Sequence, residues 1–321
     1  MISSNWINYF DIFRCLVYND PQNTRILYHI GIQMSTAFLG FFAQPEEISR
    51  FLPNAHESFQ MLTCYFFRIL GENIRMQKLM GLVRRCVDDY NMIEAGDKIA
   101  VGVSGGKDSL VLLTLLAGLR EYHSQPFQLE GITIDMGLGM DYSGVQKMCD
   151  ELEVPYTVVK TEIAPIIFDH RKEKNPCSLC SKMRRGALNQ TLLEQGFNKL
   201  ALGHHYDDAV ETFVMSLLFE GRISCFQPVT RLDRTGITQI RPMLYIHEKT
   251  VDNFAARQGL PVLTNRCPVD KVTKREEVKQ LIFTLSQTYP DLKERIFGAM
   301  QRYPLPEWEP HGRYKRPKEQ E

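Results

Sequence analysis

The sequence has no excess charge of either sign: 38 Lys and Arg stand against 38 Asp and Glu in 321 residues. A neutral chain has no overall field to draw in a polyanion, so any nucleic-acid contact has to come from a local basic stretch. Cysteine is scarce as well. The eight residues comprise one close pair and six singles, which argues against a disulfide scaffold and for a reducing compartment with thiols free or on metal. Glycine (21) and proline (16) are too few for collagen or low-complexity disorder. Long apolar runs are missing too. The best candidate span, 26–43, is interrupted by Tyr28, His29, Gln33, Ser35 and Thr36 and is short and polar for a bilayer crossing. The first residues are polar and aromatic, without the basic-then-apolar order of a signal peptide. A cytoplasmic protein with no membrane contact is expected. At 44% apolar and 24% charged residues, the chain has ample material for a core.

Lysine is absent before Lys78, and the same region is crowded with aromatics such as Phe10, Phe38, Phe41, Phe42 and Phe66. It carries no chemical motif, so 1–75 is set apart as a mainly helical N-terminal extension of unassigned role. Two readings stay open for it: a helical layer on the main domain, or a stretch upstream of a natural start at Met76 or Met80. Residues 76–303 form the main domain, and the Pro-rich, charged 304–321 is expected to be a disordered tail. Within the main domain the apolar spacing predicts helices at 80–90, 110–122, 145–152, 182–195, 207–219 and 248–258. Strands are predicted at 98–103, 129–135, 156–160, 199–203, 238–242 and 261–263. Such alternation implies an α/β fold, a mostly parallel sheet with helices on both faces.

The strand at 98–103 runs directly into Ser104-Gly105-Gly106-Lys107-Asp108-Ser109, and a helix follows. Two glycines allow a sharp turn and close backbone approach, while the helix start offers unpaired N–H groups to an anion. Ser104 and Ser109 can add hydroxyls, and Lys107 a point charge for phosphate. Asp108 is suited to Mg²⁺ or to capping. The spacing is neither Walker A nor the dinucleotide Gly-x-Gly-x-x-Gly. It resembles the SGGxDS loop of the PP-loop ATPases, which cleave ATP between the α and β phosphates. Leu202-Gly203-His204-His205-Tyr206-Asp207-Asp208 also sits between a strand and a helix, and Asp135 ends another strand, so all gather at the carboxyl edge where α/β sheets bind ligands. The resemblance implies that Asp135, Gly203 and His204 surround the adenosine.

Pro176-Cys177-Ser178-Leu179-Cys180 opens a helix that continues Ser181-Lys182-Met183-Arg184-Arg185-Gly186. Thiols at i and i+3 can face one metal, and nearby arginines favour the thiolate. Zinc, iron–sulfur and a redox disulfide all stay open for this pair. No second Cys-x-x-Cys completes a zinc site. Of the single cysteines, Cys86, Cys149 and Cys225 read as core or surface thiols, whereas Cys267 stands in a loop before a basic helix. Cations flank both places: Arg171, Lys172, Lys174, Lys182, Arg184 and Arg185 around the pair, then Arg266, Lys271, Lys274, Arg275 and Lys279 around Cys267. Of these, Lys182, Arg185, Lys274 and Arg275 are the candidate RNA contacts. Tyr206 or Tyr245 are candidates to stack on a flipped base.

The order SGGKDS, Cys-Ser-Leu-Cys-x3-Arg-Arg-Gly, Leu-Gly-His-His-x-Asp-Asp, Ile-Arg-Pro and a late single Cys is similar to that of the tRNA 2-thiocytidine synthetase family (the TtcA type), over about Met80 to Met300. The implied fold is Rossmann-like, of the adenine nucleotide α-hydrolase-like kind. The implied cofactors are ATP, Mg²⁺ and a [4Fe–4S] cluster held by Cys177, Cys180 and Cys267. The implied reaction adenylates the C2 oxygen of a tRNA pyrimidine, cytidine 32 being the expected base, and replaces it with sulfur to give 2-thiocytidine. Lys107, Asp108, Asp208 and Arg184 are the candidate catalytic residues. The partners would be tRNA and a sulfur donor such as a cysteine desulfurase, with a homodimer left open. One departure is Thr264, where the family often has another cysteine. The alternatives are another PP-loop tRNA-modifying ligase, of lysidine or 2-thiouridine type, and a non-catalytic nucleotide- or metal-binding module.

Overall fold

The computed structural model describes residues 76–170, 176–264, 267, 274–303 and 308. The expectations for 1–75, for Arg171, Lys172, Lys174, Arg266 and Lys271, and for most of the tail lie outside the described residues. Helix α1 (76–89) leads to β1 (Lys98–Gly102), α2 (Lys107–Arg120), β2 (Gln128–Asp135), α3 (Ser143–Glu151) and β3 (Tyr156–Lys160). A π-helical turn at Pro165–His170 precedes α4 (Pro176–Glu194), β4 (Lys199–Ala201) and α5 (Tyr206–Met215). A second π-helical turn at Ser216–Glu220 extends α5, and β5 (Val229–Arg231), β6 (Thr238–Ile240), α6 (Glu248–Gln258), α7 (Lys274–Thr288) and α8 (Leu292–Arg302) complete the order.

The sheet runs β3-β2-β1-β4-β6-β5. All neighbours are parallel except β5, which pairs antiparallel with β6 at the edge. The chain moves from β1 outward to β2 and β3, then returns to β4 on the other side of β1. That reversal makes the β1/β4 crevice a topological switch point, the place where such sheets bind ligands. Helix α2 fixes this crevice. Leu110, Val111, Leu112, Leu113, Leu115, Leu116 and Leu119 are all fully buried, and a helix apolar on nearly every face belongs to the interior of the core. At the far end of the crevice Lys199 pairs with Asp97 at 2.7 Å and donates to the Met92 carbonyl at 3.0 Å, which sets β4 against β1.

One expectation is corrected, and two features add to the reading. Residues 261–263 form no strand; they run as a strap whose Leu263 N–H donates to the Gly105 carbonyl at 2.9 Å. Strand β5 was not anticipated, since three residues carry no readable alternation. It is pinned by Arg241, which donates to the Gln227 carbonyl, the Thr230 hydroxyl and Gln239. Trp308 lies in the stretch expected to be disordered, yet it is fully buried, with its indole N–H donating to the Phe226 carbonyl at 2.9 Å and its ring edge-on to Phe297. A large ring that buries apolar surface and also satisfies its polar atom offsets the entropy of ordering its residue.

Candidate nucleotide and cluster site

The phosphate loop leaves β1 with Gly105 at φ +80°, and a Cβ there would sit 2.6 Å from Leu263 Cδ1. Only glycine meets both conditions. Gly106 is the N-cap of α2, and no side chain caps that turn, so the first N–H groups of a buried, well-anchored helix are left for an anion. The Ser109 hydroxyl is used within the loop. It donates to the Gly106 carbonyl at 2.8 Å, accepts from the Ser104 N–H at 3.1 Å, and lies 3.2 Å from the Ser104 hydroxyl. Ser109 therefore braces the loop, while Ser104 stays at its exposed rim. Gly203, at the end of β4, approaches so closely that a Cβ would lie 3.0 Å from the Asp108 carbonyl carbon. The two sequence segments read as one site do meet.

Lys107 Nζ is held by Asp108 at 2.9 Å and Asp252 at 2.9 Å, with Glu248 at 3.7 Å. Burial opposes its charge, but the hydrogen bonds to Asp252 and Asp108 hold its pKa above the ordinary lysine value. Both α6 carboxylates lie more than 140 positions from Lys107, so no local spacing announces them. Asp135 accepts from the Gly137 N–H at 3.1 Å and lies 3.4 Å from the Tyr142 hydroxyl, at the β2 end of the same edge.

His205 and Asp208 form a reciprocal cap on α5. The Asp208 N–H donates to His205 Nδ1 at 3.4 Å, and the His205 N–H donates to Asp208 Oδ2 at 3.0 Å. His205 Nε2 lies 3.4 Å from Asp208 and 4.0 Å from Asp108, so the two candidate Mg²⁺ carboxylates are neighbours across one imidazole. Asp207 differs. It is buried, paired with Lys293, and accepts the Glu248 N–H at 2.7 Å, which makes it a tie between α5, α6 and α8. Arg275, expected as an RNA contact, stands beside the site. Its guanidinium reaches Asp208 at 2.9 Å, Glu211 at 3.4 Å and the Thr212 hydroxyl at 3.2 Å. Lys274 remains exposed, bonded to Glu277 and set over the Phe219 ring. Tyr206 stacks on Phe297, and Tyr245 donates to Asp89, so both candidate stacking rings are packed inside.

His204 packs against Phe226 with ring centroids 4.8 Å apart. Burial lowers its pKa to about 4, with the Arg241 charge adding to the effect, so the imidazole is neutral at pH 7. The unfolded chain then binds more protons than the folded chain between about pH 6.5 and 4, and stability falls as pH drops through that window. His204→Asn should lose less stability than wild type between pH 7 and 5, read from urea midpoints; equal losses would remove His204 as the source.

Helix α4 begins at Pro176, earlier than the spacing suggests, which puts both cysteines of the pair in its first turns. A helix leading into a parallel strand starts at that strand's carboxyl edge, so the pair stands on the nucleotide side of the sheet. Cys177 is exposed; Cys180 and Cys267 are half-buried. Burial raises the Cys180 pKa, Arg184 lowers it, and the charges of Cys267 and Cys177 raise it again. The three thiols thus lie within electrostatic reach of one another and of Arg184, although 87 positions separate Cys180 from Cys267. Among the described residues no three donors converge on a single ion. The donor set, three soft thiolates beside arginines, suits iron–sulfur chemistry. Lys182, Arg184 and Arg185 are exposed on the same helix.

A phosphate-cradling loop at a β1/β4 switch point defines an adenine-nucleotide α/β protein, and a family model described as a PP-loop domain matches residues 77–285. The tRNA-cytidine(32) 2-sulfurtransferase of Coxiella burnetii is 35% identical over 231 residues, 70% of this chain and 89% of the relative. That of Geobacter sulfurreducens is 35% identical over 233 residues, 71% and 91% of the two chains. Among solved structures, the U34-tRNA thiolase NcsA from Methanococcus maripaludis with its [4Fe-4S] cluster matches with a TM-score of 0.59 and 26% identity, covering 72% of this chain and 79% of that one. The chain belongs to the tRNA-cytidine(32) 2-sulfurtransferase family of PP-loop proteins.

Proposed function

We propose that the protein is an ATP-dependent tRNA sulfurtransferase that converts a cytidine, position 32 being the expected one, to 2-thiocytidine. What supports this reading is that Cys180 lies within electrostatic reach of both Cys177 and Cys267, in a chain that also bears an uncapped phosphate loop. Neither half alone would suffice: the loop implies ATP cleavage, and the thiols imply sulfur chemistry.

The chemical problem is the leaving group. A carbonyl oxygen departs poorly as hydroxide and well as part of AMP. The C2 oxygen bonds to the α-phosphorus of ATP and pyrophosphate leaves; sulfur then bonds to C2, and the oxygen leaves with AMP. The loop N–H groups and Lys107 stabilise charge on the departing pyrophosphate. Asp108 and Asp208, adjacent across His205, hold Mg²⁺ or orient the phosphates. Asp135, Gly203 and His204 bound the adenosine. Arg275 holds Asp208 in place, and Arg184 faces the adenylate or the RNA. Lys182, Arg185 and Lys274 contact RNA phosphates. Three thiolates would hold a [4Fe–4S] cluster with one iron free of protein ligand, which supplies a binding position for sulfur. The sulfur itself comes from a donor such as a cysteine desulfurase.

The test is incubation of anaerobically purified protein with unmodified tRNA, ATP, Mg²⁺ and sulfide, followed by nucleoside mass spectrometry and pyrophosphate assay. One 2-thiocytidine per pyrophosphate is expected. Modification that survives Cys177→Ser would favour a cluster-free ligase, and ATP binding without RNA-dependent pyrophosphate would favour a non-catalytic module.

A further inference from the structure

The strap at 261–264, which ends three positions before Cys267, is tied to the phosphate loop itself. Leu263 donates its N–H to the Gly105 carbonyl at 2.9 Å, and its side chain occupies the space a Cβ on Gly105 would need. Pro261, two residues earlier, is seated against Gly144 at the start of α3, where a Cβ would lie 3.0 Å from the proline ring. Leu260 and Leu263 also pack on the main core. Cys267 follows four positions after Leu263. On its far side, α7 is tied to the same site, because Arg275 bonds Asp208 and Lys279 bonds Glu248 at 2.8 Å. Glu248 in turn lies 3.7 Å from Lys107. The third thiol is therefore bracketed by two anchors, and both end on phosphate-site residues.

One of these anchors responds to an anion by elementary chemistry. The Gly105 carbonyl and the Gly106 N–H belong to the same peptide group. A phosphate oxygen accepting from the Gly106 N–H pushes electron density onto the Gly105 oxygen, and linked hydrogen bonds strengthen one another in this way. At present the Gly106 N–H has only a long bond, 3.3 Å, to the Ser104 hydroxyl. We infer that Leu263 is a positioning residue through which ATP at the phosphate loop tightens the strap and holds Cys267 in place beside Cys177 and Cys180. This rests on the proposed ATP-dependent function and adds to it a coupling: nucleotide at the loop and a firmly held cysteine set favour each other.

Amide hydrogen exchange on the full-length protein as purified, with and without a non-hydrolysable ATP analogue and Mg²⁺, reads the bond directly. Nucleotide should slow exchange of the Leu263 amide by up to about twofold, the scale of one strengthened backbone hydrogen bond. Iron release to a chelator should slow by a similar factor in the same samples. In Leu263→Pro, which lacks the donating N–H, the analogue should still bind, because the loop and Lys107 are intact, but iron release should no longer respond to it. Leu263→Ala, which keeps the N–H, should retain the response. A purely structural role would change basal rates without abolishing the nucleotide dependence. Unchanged Leu263 exchange at saturating analogue overturns the inference, as does a full nucleotide response in Leu263→Pro. If that variant does not fold, the wild-type exchange experiment decides alone. Protein that shows the amide response but contains no iron would count against the sulfurtransferase proposal and leave the coupling standing.

Discussion

Lys107→Ala is expected to cut RNA-dependent pyrophosphate release by roughly two to three orders of magnitude, the scale of losing one preorganised charge-stabilising donor, while iron content stays at the wild-type level. The reason is local electrostatics. Lys107 is the cation among Asp108, Asp252 and Glu248 at the mouth of the phosphate loop. Its removal takes away the ammonium that would meet the triphosphate and also leaves Asp108 and Asp252 facing an incoming polyanion, while Glu248 keeps its bond to Lys279. ATP affinity and turnover should therefore both suffer. Adding Asp252→Asn to Lys107→Ala should recover part of the affinity, because one unbalanced charge is gone, but little of the turnover. Calorimetry for nucleotide binding and a coupled pyrophosphate assay separate the two effects. Normal turnover in Lys107→Ala would overturn the assignment of this loop to ATP.

The parts of this site that could be read from sequence are those whose chemistry is local. Ser104–Ser109 lies between a predicted strand and a predicted helix, and that is where the structure puts it. The Gly203–Asp208 segment was legible for the same reason. What stayed hidden depends on contacts across the fold. Asp252 and Glu248 hold Lys107 from a helix far along the chain, and Arg275 turns inward to Asp208 although its run of cations reads as a solvated basic face. Leu263 looked like part of a strand because Pro-Val-Leu is short and apolar. Its actual role, filling the space left by a glycine, is set by a partner 158 positions away. Asp207 and Asp208 look equivalent as letters. Helix periodicity turns one toward Lys293 and the interior and the other toward the site.

Cys267→Ala should remove iron as completely as Cys177→Ala. A cubane ordinarily takes four protein ligands and has three thiols here, so two remaining thiolates should not retain it. The geometry distinguishes this outcome from a purely local function of Cys177 and Cys180, since Cys267, 87 positions after Cys180, comes within electrostatic reach of it only through the fold. The control cysteines are well chosen by their surroundings. Cys86 and Cys149 are buried, and Cys225 is half-buried. Burial pushes the Cys149 thiol up to about 11 and the Cys225 thiol up to about 12, and it raises Cys86 as well. Cys86 bonds the Arg241 carbonyl and Cys225 the Ala209 carbonyl, and neither these nor Cys149 is among the charges that act on Cys180, so Ala at any of these three positions should leave iron and the brown absorbance unchanged. ATP binding should persist in every one of these variants, because the phosphate loop relies on backbone N–H groups and Lys107 rather than on a thiol. Iron and sulfide analysis beside calorimetric ATP binding reads both halves of the site in one preparation. Full iron content together with undiminished 2-thiocytidine formation in Cys267→Ala would overturn the three-cysteine cluster, and with it most of the case for sulfur transfer.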